Sequence, residues 1–186
     1  MERVNSLTNA TPSGEDVKEF VENVEIDGLP FVFKGRVKEQ SKGVYLSLYI
    51  PNWKEEVEKI HKELQAPWGL VHDGEIGFIT LDQSDVKDAD VYIQRVRSHT
   101  QWLPEDSKYH HEKVHVGRFL MDNALAYADM KGWKVTAFAY TDGRLTDADI
   151  YKWLQRKGFP SPMTPGELIR QPRSPDTNQP ITRFLK

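Results

Sequence analysis

The sequence predicts an α/β (α+β) domain in which a mixed, twisted sheet is flanked by helices. Three observations lead there. Short stretches of period-two hydrophobicity recur through the first ninety residues, and from Val91 onward the patterns run strand, long helix, strand, short helix. The composition fits as well: 186 residues with 38% hydrophobic and 28% charged side chains suffice for one buried core.

Residues 1–12 read as a flexible lead, and 13–186 as a single domain. Ser13 with Asp16 resembles a capping box, and Val17, Phe20, Val21 and Val24 follow at helical spacing, so a short amphipathic helix is expected first. Two strands come next. Phe31–Val37 is one, and in the other Val44, Leu46, Leu48 and Ile50 alternate with Tyr45, Ser47 and Tyr49. Asn52 with Glu55 opens a helix whose stripe is Trp53, Val57, Ile60 and Leu64, and Pro67 closes it. Asp73-Gly74 is a hairpin signal between residues 69–72 and a strand over Glu75–Leu81. A strand over Val91–Arg97 and a loop over Thr100–Tyr109 follow.

The most regular pattern begins near Glu112. Val114, Gly117, Met121, Ala124, Leu125 and Ala128 recur at helical spacing up to Lys131-Gly132. A strand over Lys134–Tyr140 should lie beside the Val91–Arg97 strand and parallel to it, with the helix as crossover. After a turn at Asp142-Gly143, Thr146 caps a shorter helix that stops at Gly158. Six of the eleven prolines fall between Pro160 and Pro180, which predicts an irregular segment over 160–180, and Ile181–Leu185 is expected to form a terminal strand.

Composition narrows the function. The chain has no cysteine, which excludes disulfides, thiolate metal sites and cysteine nucleophiles. A net charge of -3 supplies no electrostatic drive toward nucleic acid. No apolar run is long enough for a membrane span, and Met1–Gly14 lacks the apolar core of a signal peptide, so a cytoplasmic location without membrane contact is expected.

Val116-Gly-Arg-Phe-Leu-Met121, Ala124 to Gly132, Val135-Thr-Ala-Phe138 and Ile150 to Phe159 together resemble the cofactor-binding half of the GNAT superfamily of acetyl-CoA-dependent N-acetyltransferases. The resemblance covers residues 91–159. It implies a GNAT-like sheet, acetyl-CoA as co-substrate, an amine acceptor as partner, and a pyrophosphate held by backbone amides at Val114, His115, Val116, Gly117 and Arg118. Gly117 occupies the last small position of the family's Gln/Arg-x-x-Gly-x-Gly/Ala pattern, but His115 replaces its first glycine and Glu112 its Gln or Arg. A β-carbon crowds such a bed and a carboxylate repels its ligand. The resemblance also implies a phenol that protonates the leaving thiolate. Leu154 stands at the family's tyrosine position, and Tyr151 is the nearest phenol. Glu105, Asp106 and His99 lie where a general base belongs, Glu105 being the first choice. A catalytically silent binding or regulatory protein on the same scaffold is the alternative, favoured by the altered loop and Leu154.

A third class is a zinc hydrolase. His111-Glu-Lys-Val-His115 spells H-E-x-x-H, which on a helix turns two histidines toward one metal and Glu112 toward its water. The charge of Lys113, the position at a helix start and the lack of a third ligand weigh against it. The five tryptophans are expected as core or half-buried anchors, and Arg170, Arg173 and Arg183 as solvated side chains or contacts to an acidic partner.

Overall fold

Strands in chain order pair as neighbours in one mixed sheet. The structure, a computed structural model, describes residues 16–58, 68–137, 146–160, 168–174, 176 and 178–184. Among these, β1 (Val17–Ile26), β2 (Leu29–Lys38), β3 (Gly43–Tyr49), β4 (Glu75–Gln83), β5 (Val91–Ser98), β6 (Val135–Ala137) and β7 (Ile169–Arg170) form a sheet of order β1-β2-β3-β4-β5-β6-β7. Every pair is antiparallel except β5 and β6. The helices are α1 (Trp53–Val57), α2 (Trp68–Asp73), α3 (Val116–Lys131), α4 (Asp147–Arg156) and α5 (Pro180–Phe184). None of the described helices is long and apolar enough to cross a membrane.

The first element overturns an expectation: Val17–Ile26 is a strand, not a helix. Valines at helical spacing are also β-branched residues, and a two-residue turn ties them to β2. Asp27 and Gly28 both adopt positive φ, 51° and 78°, as the tight turn between Ile26 and its partner Leu29 requires. Pairing with β2 outweighs local helical spacing here. Phe20 lies across Gly35, where a β-carbon would come within 2.0 Å of its ring, and meets Phe33 edge-on at 5.2 Å.

The second correction is at Asp73-Gly74, which joins no hairpin. Residues 68–73 are helical, and Gly74 leaves that helix with φ 73°; Trp53 packs so closely that a β-carbon would lie 2.2 Å from it. Asn52 precedes α1, yet its side chain makes no capping hydrogen bond. Ile60, Leu64, Pro67, Phe138–Tyr140, the Asp142-Gly143 turn and residues 1–12 lie outside the described residues. The Thr100–Tyr109 segment opens with a 3-10 turn over Thr100–Trp102 and continues as successive turns.

β5 and β6 are adjacent and parallel, pairing Val91 with Val135 and Ile93 with Ala137, and α3 lies between them in the chain. Their starts are aligned by Asp90. Its N–H donates to Lys134 O at 2.8 Å, and its carboxylate accepts the Lys134 N–H at 2.9 Å and Lys42 Nζ at 2.5 Å. The Lys42 ammonium, then the Lys134 amide, hold the Asp90 carboxyl below the usual range.

α3 covers one face of the sheet. Phe31, Phe33, Leu46, Leu48, Ile79 and Leu81 are fully buried under Leu120, Met121 and Ala124, and Phe119 meets Phe33 edge-on at 5.1 Å. At the helix's first turn the sheet presents Gly77, where a β-carbon would stand 2.7 Å from Val116 Cγ1 and 3.4 Å from Leu120 Cδ1. The helix ends at Gly132 in the left-handed region, φ 68°. α4 starts on the expected capping box: the Asp149 N–H donates to Thr146 Oγ1 at 3.2 Å, and the Thr146 N–H to Asp149 Oδ2 at 3.1 Å.

The segment after α4 is anchored by charge. Arg170 is not solvated: it forms a two-pronged pair with Asp129 at 2.6 and 2.7 Å, with 4% and 7% of the side chains exposed. Arg170 Nε also donates to Lys157 O at 2.9 Å, and the Arg173 N–H to Asp129 Oδ1 at 2.9 Å. The Arg173 guanidinium lies against Gly158, and the Arg183 side chain is outside the described atoms. The expected terminal strand is instead α5, with Pro180 at its first position. Asn123 of α3 holds it, accepting the Ile181 N–H at 3.2 Å and donating to Gln179 Oε1 at 3.1 Å.

Removing one partner of a buried ion pair strands the other. Asp129→Ala is expected to lower unfolding stability by ~3–5 kcal/mol, and Asp129→Leu combined with Arg170→Met by clearly less. Urea denaturation of the two variants measures the difference.

Candidate functional site

The first three amides of an α-helix have no partner within it, and its dipole places partial positive charge there. In α3 these are the amides of Val116, Gly117 and Arg118, which have no acceptor among the described residues; the first bond in register runs from the Phe119 N–H to His115 O at 3.1 Å. Val114 and Val116 are buried, 2% and 1% exposed, and the Val114 N–H donates to His110 O at 3.3 Å, so of the amides the resemblance implies, those of Gly117 and Arg118 lie on the more accessible residues. A β-carbon at Gly117 would meet nothing within 4 Å. Close helix packing therefore does not explain this glycine. Arg118 is exposed, its Nε 3.8 Å from Asp122 Oδ2, and Lys157 binds the same Asp122 carboxylate.

An acidic side chain reaches this helix end from far along the chain. Asp27, in the β1–β2 turn, accepts both the His115 N–H and His115 Nδ1 on Oδ2, each at 3.0 Å. His115 side-chain and backbone hydrogen bonding, in that order, hold the Asp27 carboxyl below the usual range. The His115 ring is thus turned to the hairpin. Sequence reasoning missed Asp27, although Asp27-Gly28 is the strongest kind of short hairpin signal and could have found it.

His111, Glu112 and Lys113 are exposed and lie in turns ahead of α3, so H-E-x-x-H is not helical here and its histidines do not share a helix face. Lys113 folds back to donate to Glu105 O at 2.9 Å and Ser107 O at 3.0 Å. Among the described residues no group of three or more His, Asp or Glu side chains is placed to hold a metal ion.

The remaining candidates are spread out. Glu105 and Asp106 are exposed in the turns before α3, and the backbone carbonyl of Glu105 accepts from Lys113. His99 follows β5, half-buried, with its N–H donating to Ile76 O at 2.7 Å. Burial first, and Arg97 second, press its pKa down, which favours the neutral imidazole. Tyr151 is half-buried on α4 and packs against the core; Leu154 is 2% exposed. Neither Tyr151 nor Glu105 has a hydrogen bond to residues 114–118 among the described residues. Compared with protein-family models, curated proteins and solved structures, the chain matches none.

A carboxyl whose folded pKa is lowered adds stability above the ordinary carboxylate range and loses it as pH falls through the folded value. Asp27→Asn is therefore expected to destabilise the protein at pH 7 and to converge with the parent as pH falls below about 4. Both side chains of the pair are substantially exposed, so the difference at pH 7 is held under ~1 kcal/mol. Melting curves from pH 7 to pH 3 test it, and Asn tolerates the left-handed backbone at this position.

Proposed function

We propose that the chain is an acyl-CoA-dependent N-acyltransferase, with acetyl-CoA or a related thioester as donor and an amine as acceptor. The supporting observation is the start of α3: three amides unpartnered among the described residues, an open position at Gly117 and the exposed Arg118 converge at one end of a crossover helix between parallel strands. That combination suits a pyrophosphate, since amides and dipole favour an anion and Arg118 adds a full charge. In the reaction the amine nitrogen bonds to the thioester carbonyl carbon, the carbon–sulfur bond breaks, the amine loses a proton and the thiolate gains one. Of the candidate bases His99 is the best suited, because burial keeps it in the form that accepts a proton. Tyr151 is the candidate donor to the thiolate.

A catalytically silent, ligand-binding version of this scaffold is the second reading. The specific observation for it is the Asp27 carboxylate on the His115 amide, an internal anion beside the place a phosphate would take.

The two are separated by calorimetric titration with acetyl-CoA and coenzyme A, followed by an acyl-transfer assay on a panel of amines. The parent is expected to bind. Asp27→Asn and Glu112→Gln should each tighten binding roughly two- to fivefold, the equivalent of ~0.3–1 kcal/mol for one charge near a helix end, and Gly117→Glu should abolish it. Binding without transfer to any amine favours the silent scaffold. Failure of both the parent and Asp27→Asn to bind at millimolar ligand removes the site.

A further inference from the structure

The face of the sheet turned away from α3 carries a cluster that the coenzyme site does not use. Phe78 points to this face because its neighbour Gly77 points to α3, and Ser47 and Arg97 are its cross-strand partners. Tyr49 stands opposite Glu75. The Tyr49 hydroxyl donates to Glu75 Oε2 at 3.3 Å, and Tyr45 leans along β3 so that its hydroxyl donates to the same oxygen at 2.9 Å. Ser47, between the two tyrosines, is 1% exposed. The Tyr45 ring stacks on Phe78 with centroids 5.8 Å apart and planes at 28°, and His99 lies 6.2 Å from Phe78.

Two features point to a ligand. Glu75 is half-buried with one oxygen saturated by two phenols, while Oε1 accepts no hydrogen bond and the carboxylate has no cationic partner among the described residues. A half-buried carboxylate without a counter-charge is stabilised by a cation that reaches it. The neighbouring ring, moreover, already carries a cation: Lys34 Nζ stands 3.9 Å from the Tyr49 centroid. Burial first, and Glu75 second, raise the Tyr45 phenol, which stays a neutral donor. We propose that Glu75, Tyr45, Tyr49 and Phe78 form the seat for an organic ammonium ligand, with Glu75 Oε1 accepting its N–H groups and the rings taking its charge and hydrocarbon.

In the acyl-transfer reading this ligand is the amine acceptor, and only that name rests on the reading. Binding is measured without acyl-CoA, so a failed coenzyme titration leaves the seat standing and a failed amine titration leaves the coenzyme site standing. Exposed Arg95 and half-buried Arg97 share this face, so an anionic ligand is the rival to be tested.

The experiment is an NMR titration at pH 7 that follows the ring signals of Tyr45 and Tyr49 with benzylamine (protonated at this pH), benzyl alcohol and benzoate. Benzylammonium is expected to saturate with a Kd on the order of millimolar and to bind better than the neutral alcohol. Glu75→Gln should weaken it at least about tenfold, and Lys34→Ala, which clears the Tyr49 ring, should tighten it severalfold. No saturable shift with benzylammonium overturns the proposal, as do unchanged affinity in Glu75→Gln and stronger binding of benzoate. If Glu75→Gln does not fold, Lys34→Ala decides: tighter binding supports the seat, and unchanged or weaker binding overturns it.

Discussion

The position of α3 rests on one contact, the meeting of Val116 and Leu120 with the bare backbone of Gly77. With no side chain at 77, the first turn of the helix settles onto the sheet, and dispersion and apolar burial accumulate along the rest of its length. Three tethers fix what this contact begins. The β1–β2 turn holds the start through His115, Asn123 binds α5 at the middle, and Asp129 locks Arg170 near the end. The amides at Val116–Arg118 are thereby held on a rigid support, and rigid placement gives backbone donors their value at an anion site.

Electrostatics at that support work in two directions. The helix end and Arg118 draw in negative charge, and Asp27 supplies some of it from within the molecule. The internal carboxylate satisfies the His115 amide and fastens the hairpin, while it offsets part of the positive potential at the helix end. On the opposite face of the sheet Glu75 is an anion with no cationic partner among the described residues, beside a ring with an ammonium on it.

Much of the scaffold was legible in the sequence because its signals are local. Alternation over Val44–Ile50 separated the buried Leu46 and Leu48 from Tyr45 and Tyr49, 3.6-residue spacing marked α3, and Thr146 with Asp149 marked the start of α4. The misreadings have one source. Asp-Gly occurs at 27–28 as a hairpin turn and at 73–74 as a helix stop, and in both cases the glycine takes a positive φ; only the partner segment tells them apart. Valines at 17, 21 and 24 suit a helix stripe as well as an edge strand, and pairing with β2 decides. At the candidate site Gly117 and Arg118 could be picked from spacing. Asp27 could be picked as a turn residue but not as a partner of His115, which is 88 residues away in sequence. Nor could Glu75: its meeting with Tyr49 follows a register shift between Leu48 and Tyr49 that no local pattern encodes.

The hairpin turn at Asp27-Gly28 binds the start of α3 through His115, and one of the two donors it takes there is a backbone amide, the His115 N–H. Two claimants on one donor are coupled, and the coupling is reciprocal: an anion that takes the amide weakens the turn's grip on α3, and a firmer turn weakens the anion by the same factor. Affinity at the helix end can then be retuned by substitutions within the hairpin that touch no ligand. A mutational survey confined to residues 112–118 would not detect that control.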